Sequence, residues 1–90
     1  QDRVQVLGRG MEAQLRIPPE YSFVSRRHAE VWLKNRAAWI RDIGSKTGTQ
    51  INGVKLEPLK EYQISLGDRI VLSGLEMQVV GSLDGYDDVA

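Results

Sequence analysis

The stretch SRRHAEVWLKNRAAWIRD, Ser25–Asp42, changes character twice, and the reading of those changes decides the fold. Four polar residues are followed by alternating side chains from Ala29 to Lys34, a break at KNRA, and a second alternation from Ala38 to Asp42. Period-two alternation sends successive side chains to opposite faces of an extended strand. If KNRA forms the turn, Leu33 faces Ala38, Trp32 faces Trp39, Val31 faces Ile40 and Glu30 faces Arg41. One face of this hairpin then carries Val31, Leu33 and Ile40 and is expected to join the core. The other carries Trp32 and Trp39 flanked by Glu30 and Arg41, which reads as a cross-strand aromatic pair in preference to a binding patch.

The same rhythm runs outward in both directions. Strand patterns cover Val4–Leu7, Ala13–Ile17, Thr49–Ile51, Val54–Leu56, Tyr62–Ser65, Ile70–Ser73 and Glu76–Val80, and no helical periodicity stands out. Asn52-Gly53 between TQI and VKL is the strongest hairpin signal, because a type I′ turn needs positive φ at both central positions. Gly67-Asp68 marks another turn, and Pro18-Pro19 breaks the chain after Ile17. Many short strands punctuated by turn residues predict an all-β, two-sheet β-sandwich.

Ninety residues suffice for one small domain with a single core. The 12 basic and 12 acidic residues cancel, so no general attraction to nucleic acid or to an anionic membrane is expected. The cancellation is not local. Arg9, Arg16, Arg26, Arg27, Lys34, Arg36, Arg41 and Lys46 face only Glu12, Glu20, Glu30 and Asp42 in the same span, whereas Asp84, Asp87 and Asp88 make the tail acidic. Residues 1–83 are therefore expected to form the domain and residues 84–90 a loose acidic tail. No apolar run approaches membrane-spanning length. There is no cysteine and no signal peptide, which reads as a cytoplasmic protein, and the chain opens without Met, which reads as a piece of a longer one.

Catalysis finds little support. Lys46, Thr47 and Gly48 match one motif of the serine β-lactamases, but its companion motifs are missing. Ser25 and His28 lie close in sequence with no carboxylate placed to orient the imidazole. The single histidine cannot hold a metal alone, and Gly8 and Gly10 complete neither a dinucleotide nor a Walker loop, so no cofactor or metal is expected. What remains is anion binding. A guanidinium grips a phosphate through two charge-assisted hydrogen bonds, and a nearby hydroxyl adds a third. Arg9, Ser25 and Arg26 or Arg27 supply such groups, and GSKTGT, Gly44–Thr49, has the composition of a loop whose backbone N–H groups cradle an anion, with Lys46 as a further cation.

Taken together, these residues resemble the forkhead-associated (FHA) domain, a β-sandwich that recognises phosphothreonine. The likeness runs through Gly8-Arg9, SRRH at Ser25–His28, DIGSKTGT at Asp42–Thr49, ING at Ile51–Gly53 and LGDRIVL at Leu66–Leu72, in the family's order. It implies that Arg9, Ser25 and Lys46 meet the phosphate, that Arg26, Thr47 and Phe23 touch the peptide, and that Gly8, His28 and Gly48 shape the loops. The implied partner is a phosphothreonine-containing protein or peptide, in trans or from the parent chain. Two departures stand out. Thr47 replaces the asparagine usual in the family, and a hydroxyl cannot both donate and accept across the gap an amide spans. Only seven residues precede Gly8, where the family carries a further strand; an uncovered edge invites pairing or strand exchange with a second copy. The same fold used without phosphate is the alternative function, and nucleic-acid binding through Arg26, Arg27, Arg36 and Arg41 is a weaker one.

Overall fold

The computed structural model describes residues 4–80, which form nine strands and, among the described residues, no helix. The strands are β1 Gln5–Gly8, β2 Leu15–Arg16, β3 Ala29–Lys34, β4 Ala37–Asp42, β5 Thr49–Ile51, β6 Val54–Lys55, β7 Tyr62–Ile64, β8 Arg69–Leu72 and β9 Leu75–Gln78. A five-stranded sheet has the order β2-β1-β3-β4-β7, and a four-stranded sheet the order β6-β5-β8-β9. The expected acidic tail, 84–90, lies outside the described residues.

The β3–β4 hairpin has the register that alternation predicts, with Trp32 opposite Trp39 and Val31 opposite Ile40. Its turn is two residues long; Asn35 and Arg36 both take positive φ, 53° and 65°, matching the twist of the flanking strands. Asn52 and Gly53 do the same at 50° and 85°. On the outer face Arg41 donates to Glu30 and lies 5.5 Å from the centre of the Trp32 ring, so the aromatic pair is partly roofed by its own neighbours.

Between the sheets, Leu7, Ile17, Val24, Ala29, Ile40, Leu56, Ile64, Ile70 and Leu72 form the core. Burying each large aliphatic side chain is worth about 1.5 to 3 kcal/mol, which makes this cluster the main stabiliser of the fold. Leu33 corrects the expectation. It points to the inner face as its register requires, yet it is 58% exposed. The tip of the β3–β4 hairpin overhangs the smaller sheet, leaving Leu33, Val31, Ala38, Ile64 and Val79 around an apolar groove of about 520 Å³. The second strand is also shorter than expected. β2 pairs with β1 in parallel only at Leu7 with Leu15 and Gly8 with Arg16, so Ala13–Ile17 yields two paired residues. β1 is flanked on both sides by β2 and β3, and among the described residues the outer strands are β2, β7, β6 and β9.

Antiparallel pairing sets the ends of β1, β4 and β8 and the starts of β3, β5 and β9 at one rim of the sandwich. The turns at Asn35-Arg36 and Asn52-Gly53 lie at the other.

Candidate functional site

At the first rim, Gly8 makes the close approach possible. A Cβ on this residue would stand 2.1 Å from the Arg26 carbonyl oxygen, so any other side chain would push the two segments apart. With that contact allowed, the Arg9 amide donates to the Ser25 carbonyl at 3.2 Å and the Gly10 amide to the Arg26 carbonyl at 3.0 Å. These bonds bring Arg9 and Ser25, sixteen positions apart in sequence, side by side. The Arg9 guanidinium is anchored by Nε, which donates to the Val24 carbonyl at 2.5 Å. The two terminal nitrogens have no protein acceptor among the described residues, and form a fork free for a ligand oxyanion.

Ser25 is held from several sides. Its Oγ accepts from the Lys46 amide at 3.0 Å, which joins the loop before β3 to the loop before β5 and leaves the hydroxyl proton free to donate. Its amide donates to His28 Nδ1 at 3.0 Å, and His28 Nε2 lies 2.9 Å from the Gly48 carbonyl. A neutral imidazole with its proton on Nε2 satisfies both, accepting from one loop and donating to the other. His28 is 0% exposed and makes no bond to the Ser25 hydroxyl. The arrangement is that of a brace.

Asp42, at the end of β4, organises the loop that follows. Its carboxylate accepts from the amides of Gly44 and Ser45, both at 2.9 Å, and from the hydroxyls of Ser45 at 2.5 Å and Thr49 at 2.7 Å. Ser45 Oγ in turn accepts from the Gly48 amide at 2.9 Å, closing the loop on itself. Gly44 and Gly48 occupy the left-handed region at φ 89° and 92°. Burial alone would push the Asp42 carboxyl up; the bonds from Ser45, Thr49 and Gly44 outweigh it and hold the group below the usual carboxylate range.

Of the residues singled out from sequence, Arg9, Ser25, His28 and Gly48 come together with Gly8 in one bonded cluster. Lys46 joins it through its amide, while its side chain, like those of Arg26, Thr47 and Phe23, stands exposed on the same rim. The sequence pattern does not single out Asp42, Ser45 or Thr49, although an aspartate two and three residues before Gly and Ser is the signature of a side chain bonding its own following backbone. It also passes over Lys55. That side chain lies against Gly48, its Cε 2.8 Å from where a Cβ would be, and adds a cation beside the rim.

A β-sandwich that gathers an anchored guanidinium, a primed hydroxyl and two lysines onto one loop-built rim is an anion-receiving binding module. The chain belongs to the FHA domain family, whose profile matches residues 6–73. Among curated proteins it is similar to the FHA domain-containing protein FhaA of Mycobacterium tuberculosis, 38% identical over 74 residues, which covers 82% of this chain and 13% of that protein. It is also similar to protein FraH of Nostoc, 40% identical over 65 residues, covering 63% of this chain and 22% of that protein. The chain thus spans less than a quarter of either relative. Among solved structures, an FHA domain studied for phosphothreonine-dependent interactions superposes with a TM-score of 0.75 at 35% identity, covering 89% of this chain and 78% of that one. The FhaA FHA domain in complex with the intracellular domain of another protein gives 0.73 at 34%, covering 84% and 78%.

Proposed function

We propose that this domain is a non-catalytic reader that captures a phosphorylated threonine, on a partner or on another part of its own polypeptide, through the rim built around Arg9 and Ser25. One observation carries the reading. The Ser25 hydroxyl accepts from the Lys46 amide and keeps its proton free to donate, and it stands beside a guanidinium whose terminal fork is free. Those are the donors a phosphate dianion requires. The 35% identical neighbour studied for phosphothreonine-dependent interactions supports the same reading. Lys46 is read as an additional phosphate cation, and Arg26, Thr47 and Phe23 as residues along the peptide. With His28 bonded to backbone on both ring nitrogens, the Ser25–His28 neighbourhood offers positioning in place of nucleophilic chemistry.

Threonine is preferred over serine if its methyl fills an apolar niche, a gain of about 0.8 kcal/mol per buried carbon. Phe23, exposed next to the hydroxyl-bearing turn, favours an apolar residue about three positions beyond the phosphothreonine. The alternative, an interaction domain that ignores phosphate, rests on Thr47, whose short side chain gives up one of the two bonds an amide makes. Calorimetry with matched phosphorylated and unphosphorylated threonine peptides separates the two. Binding confined to the phosphorylated member supports the reader, and equal affinity for both ends that reading.

A further inference from the structure

Among the described residues, Asn35, Arg36, Asn52, Ser73 and Leu59 take positive φ without being glycine. The first four are polar and occupy the two-residue turns of hairpins. Leu59 differs in both respects. The Lys60 amide donates to the Glu57 carbonyl at 3.3 Å, closing a β-turn with Pro58 and Leu59 at its centre. Proline fixes a negative φ at the first central position, so Leu59, at φ 69°, makes this a type II turn. Glycine or asparagine suits its second central position, because in this conformation a larger side chain brings Cβ against the following carbonyl.

The strained leucine serves no packing purpose inside the fold. Its side chain is 66% exposed, whereas Leu56, on the same loop, is buried in the core. The surrounding bonds nevertheless hold the turn. The Leu59 amide donates to the Asp42 carbonyl at 2.7 Å, and the Glu57 amide donates to the Tyr62 hydroxyl at 2.9 Å. Backbone strain enforced by its surroundings in this way concentrates at ligand-contacting positions.

The turn is continuous with the receiving rim. Asp42 holds Leu59 through its carbonyl and the loop Gly44–Thr49 through its carboxylate, and that loop reaches Ser25 through the Lys46 amide. Lys46 follows Asp42 so closely in sequence that the Leu59 amide lies within about 20 Å of the Ser25 hydroxyl, a span of about six residues of extended peptide. Strand order gives the direction. The turn joins β6 to β7, the strands at one end of the two sheets, while the hollow lined by Tyr21, Phe23, Ser73 and Gly74 lies by the β8–β9 turn at the other end of the smaller sheet. The loops before β3 and β5, which carry Ser25 and Lys46, stand between them.

We propose that Leu59 is a second anchor of the binding face, receiving an apolar side chain that the partner carries roughly four to six positions before its phosphothreonine. The inference rests on the reader function proposed above. A peptide that lays the residues after its phosphothreonine against Phe23 runs the preceding ones toward Leu59, and an apolar residue there covers a side chain that the fold leaves in water. The domain gives up stability at this turn to hold a contact for its partner.

A phosphothreonine-oriented peptide library, randomised over the positions before the phosphothreonine, tests the assignment. The parent domain should enrich aliphatic and aromatic residues in the stated window. Leu59→Met keeps an apolar side chain and should keep that enrichment; Leu59→Asn should lose it and leave the preferences next to the phosphothreonine unchanged. In calorimetry with the best-selected peptide, Leu59→Asn should bind roughly three- to tenfold more weakly than the parent. With the same peptide cut to begin just before its phosphothreonine, the two should bind alike. Because asparagine suits the turn, Leu59→Asn should also melt at or above the parent temperature, which separates lost contact from lost structure. An absence of enrichment in the parent, or enrichment that survives Leu59→Asn, overturns the anchor and leaves the reader standing. A clear fall in the melting temperature of Leu59→Asn overturns it too, since the leucine would then serve the fold. A library retained equally with and without its phosphate ends the reader, and this inference with it.

Discussion

The two rims of the sandwich are built on different principles. At the receiving rim β8 and β9 are also joined by a two-residue turn, Ser73-Gly74, but the loops before β3 and before β5, which carry the site, are long, and their shape is imposed by side chains bonding to backbone from beneath. His28, Asp42 and Thr49, the buried polar residues among those described, all lie there. At the opposite rim the hairpins close in two residues whose dihedrals alone make the turn, as at Asn35-Arg36 and Asn52-Gly53. Cross-links occur there too, from Asn52 Nδ2 to Asp68 at 3.0 Å and from the Arg69 amide to Asn52 Oδ1 at 2.9 Å, but they are exposed to water. A buried hydrogen bond competes with no solvent, and losing one partner leaves the other unsatisfied. The difference teaches that an exposed turn can specify itself locally, whereas a loop that must present donors to a ligand needs a polar foundation that water cannot reach.

The largest effect should follow from removing that foundation. Asp42→Ala strips a buried acceptor from two amides and two hydroxyls and is expected to cost about 3 to 5 kcal/mol in chemical denaturation. Asp68→Ala at the opposite rim should lose far less, and equal losses would erase the contrast between the rims. Next comes the ligand side. Arg9→Ala should bring phosphopeptide binding below detection in calorimetry, and Ser25→Ala should weaken it by about 1 to 3 kcal/mol, the scale of a hydrogen bond to a charged group. Both variants should melt near the parent temperature, which separates a binding defect from an unfolding one.

Acid should bear on both rims, because bonds from Asn52 and Ser65 hold exposed Asp68 below the usual carboxylate range just as the loop bonds hold Asp42. A carboxyl held low in the folded state contributes stability that is complete above its unfolded value of about 4 and is lost as pH falls through the folded value. Asp42 is such a group, so the protein should lose stability progressively below about pH 4, and Asp42→Asn, although less stable at neutral pH, should show a shallower acid slope. The smallest effect belongs to the opposite rim. Arg36 adopts φ 65°, a conformation glycine takes without steric cost, so Arg36→Gly should change stability by no more than about 1 kcal/mol and leave phosphopeptide affinity unchanged.

The hairpins were legible because their signals are local. Asn52-Gly53 announces its own turn, and alternation along Ala29–Lys34 and Ala38–Asp42 permits one register that keeps Val31 and Ile40 together. Leu33 was misassigned for a physical reason: alternation says which face a residue takes, but whether that face is covered depends on how far the opposite sheet extends. β2 contracted because β1 ends at Gly8 on one side, while on the other the Val6 amide donates to the Gln14 side-chain oxygen in place of a backbone partner. At the site, the donor chemistry could be read from Arg9, Ser25 and Lys46, but their meeting depends on Gly8 admitting the Arg26 carbonyl, a contact between distant segments. Asp42 could have been found from its local spacing to Gly44 and Ser45. Lys55 needed one further step, the pairing of β5 with β6 that carries it back toward Gly48.

The imidazole of His28 is fastened at one end to the turn that precedes a strand of the larger sheet and at the other to the loop leading into the smaller. The Ser25 bond is local, but the Gly48 carbonyl reaches the ring only when the two sheets of the sandwich have closed on each other. Separating the sheets removes that bond, so the placement of the Ser25 loop against the Lys46 loop depends on the packing of the whole sandwich.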